Sequence, residues 1–141
     1  MATVQFFFHN KAPFLRDRRK LAHFIEGIFK KEKIQLGSLV YIFCSDEYLL
    51  NINREFLKHD FYTDIITFNL APSPDRIEGE VYISYDRVKE NAKTEKVSFK
   101  VELHRVVFHG ALHLCGFKDK KIKDRQNMRA KEDKYLNLYF R

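Results

Sequence analysis

The 141 residues are enough for one ordinary domain, and an apolar share of 45% with 14 Phe excludes a disordered chain. Lys and Arg number 26 against 19 Asp and Glu, and the formal charge of +7 favours polyanionic partners, nucleic acid above all. Two cysteines without pairing or CxxC spacing and no run near the ~20 apolar residues of a bilayer span predict a chain with no disulfide framework and no membrane partner. The N-terminal MATVQFFFHN has no basic start and too short an apolar run for a secretory signal, so a reducing, cytoplasmic setting is expected.

Val4 to Phe8 is a short β-branched and aromatic run that predicts a strand. Pro13 suits the first turn of a helix reaching about Lys33, with Leu21, Phe24, Ile25, Ile28 and Phe29 at helical spacing. Gly37 punctuates the chain, and Ser38 to Cys44 reads as the second strand. Ser45 or Asp46 can cap a helix over about Glu47 to Leu57. Asp64 to Leu70 predicts a third strand ended by Ala71-Pro72-Ser73-Pro74, and Gly79 to Tyr85 a fourth. Asp86 is the expected cap of a helix over Arg87 to Lys93. Ser98 to Cys115 is apolar nearly all round, as a buried helix is, and Gly116 suits its stop. A Lys- and Arg-rich helix closes the chain from about Lys123 to Tyr139. The expected fold is α+β, a single domain over 1–141, with a small mixed sheet of about four strands packed with about five helices.

The chemistry centres on the buried helix. His109 and His113 are four apart, so their rings leave one helix face. Gly116 and Asp119 follow in the spacing H-x3-H-x2-G-x2-D, with Gly116 turning the chain so that Asp119 swings back. Two neutral nitrogens and one carboxylate leave a fourth tetrahedral position open, the layout of a catalytic zinc site with one ion per chain. The same donors accept Ni²⁺, Co²⁺ or Fe²⁺. The plain alternative is a pair of satisfied core histidines beside a surface Asp. The offsets also fit the zinc-protease pattern, but Gly110 stands where those enzymes carry their general-base Glu. Cys115, two past His113, points away from the His face and is expected in the core. The stretch 118–134 holds eight basic residues against four acidic ones, a balance of +4 suited either to a solvated helix face or to RNA phosphates.

The run His109-Gly110-Ala111-Leu112-His113-Leu114-Cys115-Gly116-Phe117 resembles the signature of the YbeY family, bacterial zinc-bound endoribonucleases of rRNA maturation and ribosome quality control. Asp60 with Thr63-Asp64-Ile65-Ile66-Thr67-Phe68 is similar to that family's strand and its lead-in. Ser45-Asp46-Glu47 and Asn53 precede it in family order, Gly79 to Ser84 resembles the next strand, and Met128 and Glu132 fall where the family's last helix has them. The resemblance spans about residues 40–135 and implies rRNA as substrate and the ribosome or its proteins as partners. Two departures stand out. Asp119 occupies the place of the family's third His, and Leu57 that of an Arg thought to serve activity. Lys58, His59 and Arg105 are the candidate substitute cations. No general base is identifiable; Asp64 and Arg105 are the candidate catalytic residues. The alternatives are a ribosome-associated RNA-binding factor with a structural metal, and a metalloprotease.

Overall fold

The structure is a computed structural model, and it describes residues 3–9, 15–71, 73 and 75–141. Strand β1 (Thr3–Phe8) leads through helix α1 (Arg18–Lys31) to β2 (Leu36–Cys44). Helix α2 (Asp46–Phe56) connects to β3 (Ile65–Asn69) and then β4 (Ile77–Ser84). Three helices follow: α3 (Tyr85–Glu95), α4 (Phe99–Leu114) and α5 (Ile122–Tyr139). The sheet order is β1-β2-β4-β3, with β1 parallel to β2, β2 parallel to β4, and β3 antiparallel at the edge. Among the described residues, four strands and five helices make the mixed α+β architecture that the sequence predicts.

Local chemistry sets the boundaries, and several differ from the sequence expectation. Pro13 lies outside the described residues. Helix α1 is capped by Asp17, whose carboxylate accepts from the Lys20 amide at 3.2 Å, and it stops before Lys33, which has φ 61°. Gly37 is no break: it lies inside β2 at a register shift, where a Cβ would crowd Arg76 at 2.7 Å. Ser45 caps α2, accepting from the Tyr48 amide at 3.2 Å. Helix α3 is capped by Ser84 rather than Asp86, because Ser84 Oγ accepts from the Arg87 amide at 3.1 Å. The Asp86 carboxylate instead accepts from the Asp46 amide at 2.9 Å and ties α3 to α2.

The strand period of two assigns the sheet residues to two faces. Leu39, Tyr41, Phe43, Val81 and Ile83 pack in one core cluster with Leu21, Ile25, Ile28 and Phe29 of α1 and Leu103, Val107, Phe108 and Ala111 of α4. Burying the Tyr41 ring requires a partner for its hydroxyl, and it donates to the Val107 carbonyl at 2.8 Å. Opposite, α2 places Leu49 and Ile52 on Cys44 and Ile66.

Gly110 fixes how closely α4 lies on the sheet. A Cβ there would stand 2.9 Å from Val81 Cγ1 and 3.0 Å from Ile65 Cδ1. The absence of a side chain lets α4 settle onto β4 and β3. Cys115 packs at the margin of this core, as expected, and burial pushes its thiol up to about 12.

Candidate functional site

A cleft of about 720 Å³ opens between the lead-in to β3, α3, the exposed flank of α4 and the start of α5. Thr63, Asp64, His109, Asp119 and Glu132 are among its walls. Of the sequence-predicted residues, Asp64, Arg105, His109 and Asp119 line it, from three separate segments, whereas His113 lies outside its walls.

The i, i+4 spacing on α4 makes the His109 and His113 rings parallel to within 8°, with centroids 6.2 Å apart. Helix α4 ends at Leu114, and Gly116 takes φ +107°, a conformation that side chains with a Cβ rarely adopt. That turn returns the chain, and Asp119 Oδ2 stands 3.2 Å from His109 Nε2. The other nitrogen of each ring has a fixed acceptor. His109 Nδ1 faces Glu132 Oε2 at 2.6 Å, and His113 Nδ1 faces the Phe117 carbonyl at 3.0 Å. With those two nitrogens as donors, each Nε2 is left to meet a proton or an ion. Among the described residues, no three His, Cys, Asp or Glu side chains converge closely enough to form a finished ligand cluster.

Glu132 had no role assigned from sequence. It is a buried carboxylate in the Met128, Tyr135, Leu136 and Tyr139 stripe of α5. An acid in an otherwise apolar stripe needs a partner, and that was the signal available in the sequence. Its two oxygens receive His109 and, at 3.1 Å, Arg105. Arg105 also reaches Asp133 at 2.9 Å, and its side chain is only 13% exposed. Its charge is paired within the fold, and the residue also lines the cleft. Lys58 and His59 lie on the loop after α2, whereas the cleft wall in that segment begins at Thr63. The cleft wall carries Arg105 and two exposed cations, Arg125 and Arg129, which belong to the basic stretch 118–134 noted in the sequence.

Burial opposes charge on His109, but its hydrogen bond and attraction to Glu132, with Asp119 and Asp64 adding, hold its pKa above the usual value. Asp64 sits just before β3 and accepts from the Asn91 side-chain amide at 3.2 Å, while its backbone carbonyl accepts from the Ser84 amide at 2.9 Å. Burial lifts its carboxyl above the ordinary range, with His109 pulling it back in part. These contacts join Asp64 to α3 and the end of β4 rather than closing a local turn, and it has a place in the cleft wall.

A Cβ on Gly110 would meet Val81 and Ile65 of the sheet. A Glu at that position, as in the protease pattern, would enter the core rather than reach an ion.

Comparison with known proteins places the chain. The family model described as Endoribonuclease YbeY matches residues 9–139. That match makes the chain a hydrolase acting on RNA. An endoribonuclease YbeY from Cytophaga hutchinsonii is 52% identical over 96% of this chain and 95% of its own length. One from Flavobacterium psychrophilum is 44% identical over 89% of each chain. The solution structure of a Thermotoga maritima protein superimposes with a TM-score of 0.69 at 28% identity, covering 97% of this chain and 89% of that one. The chain belongs to the endoribonuclease YbeY family.

Proposed function

We propose that this chain is a zinc-dependent endoribonuclease acting on rRNA during ribosome maturation and quality control in the cytoplasm. His109, His113 and Asp119 are the ligands of its one zinc ion in this reading. The observation that carries it is the 3.2 Å between His109 Nε2 and Asp119 Oδ2. Two donors on one tetrahedral zinc lie about 3.3 Å apart, given bonds of about 2.0–2.1 Å. The fixed partners of both Nδ1 atoms add support, because ligating histidines ordinarily hold their second nitrogen in this way.

Bound zinc would polarise a phosphoryl oxygen and lower the pKa of its water. The chain's own residues do the rest. Glu132 orients His109, and Arg125 and Arg129 place positive charge on the cleft wall where a phosphodiester enters. Asp64, its carboxyl held above the ordinary range, is the group in that wall suited to hold and release a proton. The ribosome or its proteins would present the RNA.

The test is single-turnover cleavage of an rRNA fragment by untagged protein. Cleavage should vanish on chelation and return with zinc, and Asp119→Ala should lower zinc affinity by at least about tenfold. Cleavage that survives complete zinc removal sinks the reading. Leu57, exposed where the resemblance implies Arg, favours a second one: a ribosome-associated RNA-binding factor whose metal is structural. Tight RNA binding with no cleavage in either metal state would select it.

Zinc loading should also depend on pH. The raised pKa of His109 means that the metal-free site keeps its proton into higher pH than a free imidazole, and zinc must displace it. Affinity should fall as pH drops through that value. Calorimetric titration in buffers of different ionisation enthalpy should show proton release greatest below the His109 pKa. For the metal-free fold the sign is opposite. The protonated pair contributes stability below the ordinary His pKa, and that stability is lost as pH rises through the folded value.

A further inference from the structure

We infer that the loop between α2 and β3 holds an unstacked base of single-stranded RNA against the ring faces of Phe61 and His59. The inference rests on the reading of the chain as an RNA-cleaving enzyme and adds how the strand is held beside the cleft. Phe56 is 64% exposed and Phe61 56%, with Leu57 between them along the chain also exposed. Large apolar rings are displayed here rather than folded inward.

The backbone beneath them is pinned from several sides. The Asn53 side-chain amide donates to the Phe61 carbonyl at 2.9 Å. The Asn53 carbonyl accepts from the Leu57 amide at 3.1 Å and the His59 amide at 3.0 Å. Arg54 pairs with Asp60 across the loop. The Tyr62 hydroxyl donates to Glu47 at 2.8 Å, and the Arg87 guanidinium lies over the Tyr62 ring at 5.1 Å. A loop held this way has little conformational freedom left to lose on binding.

The ring geometry suits a base. The His59 and Phe61 rings are inclined by only 20° with centroids 5.1 Å apart, an offset stack that a third flat ring can extend. The position suits a substrate strand. Phe61 precedes the cleft residue Thr63 by two positions, a Cα reach of at most about 7 Å. Lys58 on the same loop and the net charge of +7 favour a polyanion over an apolar protein partner. Duplex RNA keeps its bases stacked inside, so only a single strand can offer a ring to this platform.

The experiment uses the full chain and its Phe61→Ala, His59→Ala and Phe61→Trp variants. The probes are a labelled single-stranded RNA and the duplex of the same sequence, followed by fluorescence anisotropy across a salt series. Phe61→Ala should weaken single-strand binding about tenfold, in line with base–aromatic stacking, while Phe61→Trp retains it. The slope of log Kd against log salt should not change, because no phosphate contact is lost. Duplex binding should also stay as it is. Equal single-strand affinity in Phe61→Ala and the parent overturns the inference, as does an equal loss on both probes. A change of oligomeric state in Phe61→Ala would show that the patch meets a second copy, and would overturn it too. If the parent chain binds neither probe, the RNA-cleaving reading falls with it. A parent that binds single strands while Phe61→Ala binds equally well removes this inference alone.

Discussion

His113→Ala should fold normally and lose both its zinc and its RNA cleavage. The side chain is exposed at the end of α4, and its hydrogen bond to the Phe117 carbonyl is local. Stability should therefore shift by no more than about 0.5 kcal/mol. Loss of the ion removes several kcal/mol of charge stabilisation in the transition state, and about 4 kcal/mol corresponds to a rate loss on the order of 10³-fold. Elemental mass spectrometry should find near one zinc per parent chain and a small fraction of that in the variant. Single-turnover cleavage reads the second effect, and urea unfolding checks the fold. A variant that keeps its metal and its rate would remove His113 from the site and return the pair to ordinary helix residues.

The second large effect concerns Glu132, whose removal should damage the fold more than the loss of a ligand. Glu132→Ala leaves Arg105 and His109 without the carboxylate that both face, at a place where Arg105 is nearly covered. Breaking a buried pair by removing one partner costs about 3–5 kcal/mol, against a total stability of about 5–15 kcal/mol for a typical domain. Urea unfolding should show that loss directly. Glu132→Gln keeps the shape and an acceptor for His109 but not the charge. It should unfold closer to the parent while binding zinc about 10- to 100-fold more weakly, the usual cost of losing the group that orients a ligating His. An Ala variant as stable as the parent would show that Asp133 and solvent already satisfy Arg105, and that Glu132 is incidental.

The chain's own sequence carried most of the secondary structure, because those signals are local. The apolar period of α4, the alternation in β2 and β4 and the Ser45 cap can each be read within a dozen residues. The His109–His113 pair is legible for the same reason: four residues along a helix put two rings on one face. Gly116 also announced itself, since a turn with positive φ is needed at that point. The expected cap of α3, Asp86, was not the one used, and Ser84 takes that place. Only the packing of α3 beside α2 commits the Asp86 carboxylate to the Asp46 amide.

Tertiary structure decided what depends on contacts between distant segments. Glu132 lies 23 residues from His109, and nothing in its local sequence names its partner. Arg105 looked like a free cation until the fold surrounded it with Glu132 and Asp133. Gly110 looked like a missing base, but the sheet shows it to be the point of closest approach between α4 and Val81. The sequence by itself therefore determined that two candidate ion-holding side chains share one face of α4, because helical geometry is a short-range property. The three-dimensional fold decided which of them share a cleft and which charges are already neutralised, because burial and Coulomb attraction act across space between residues far apart along the chain.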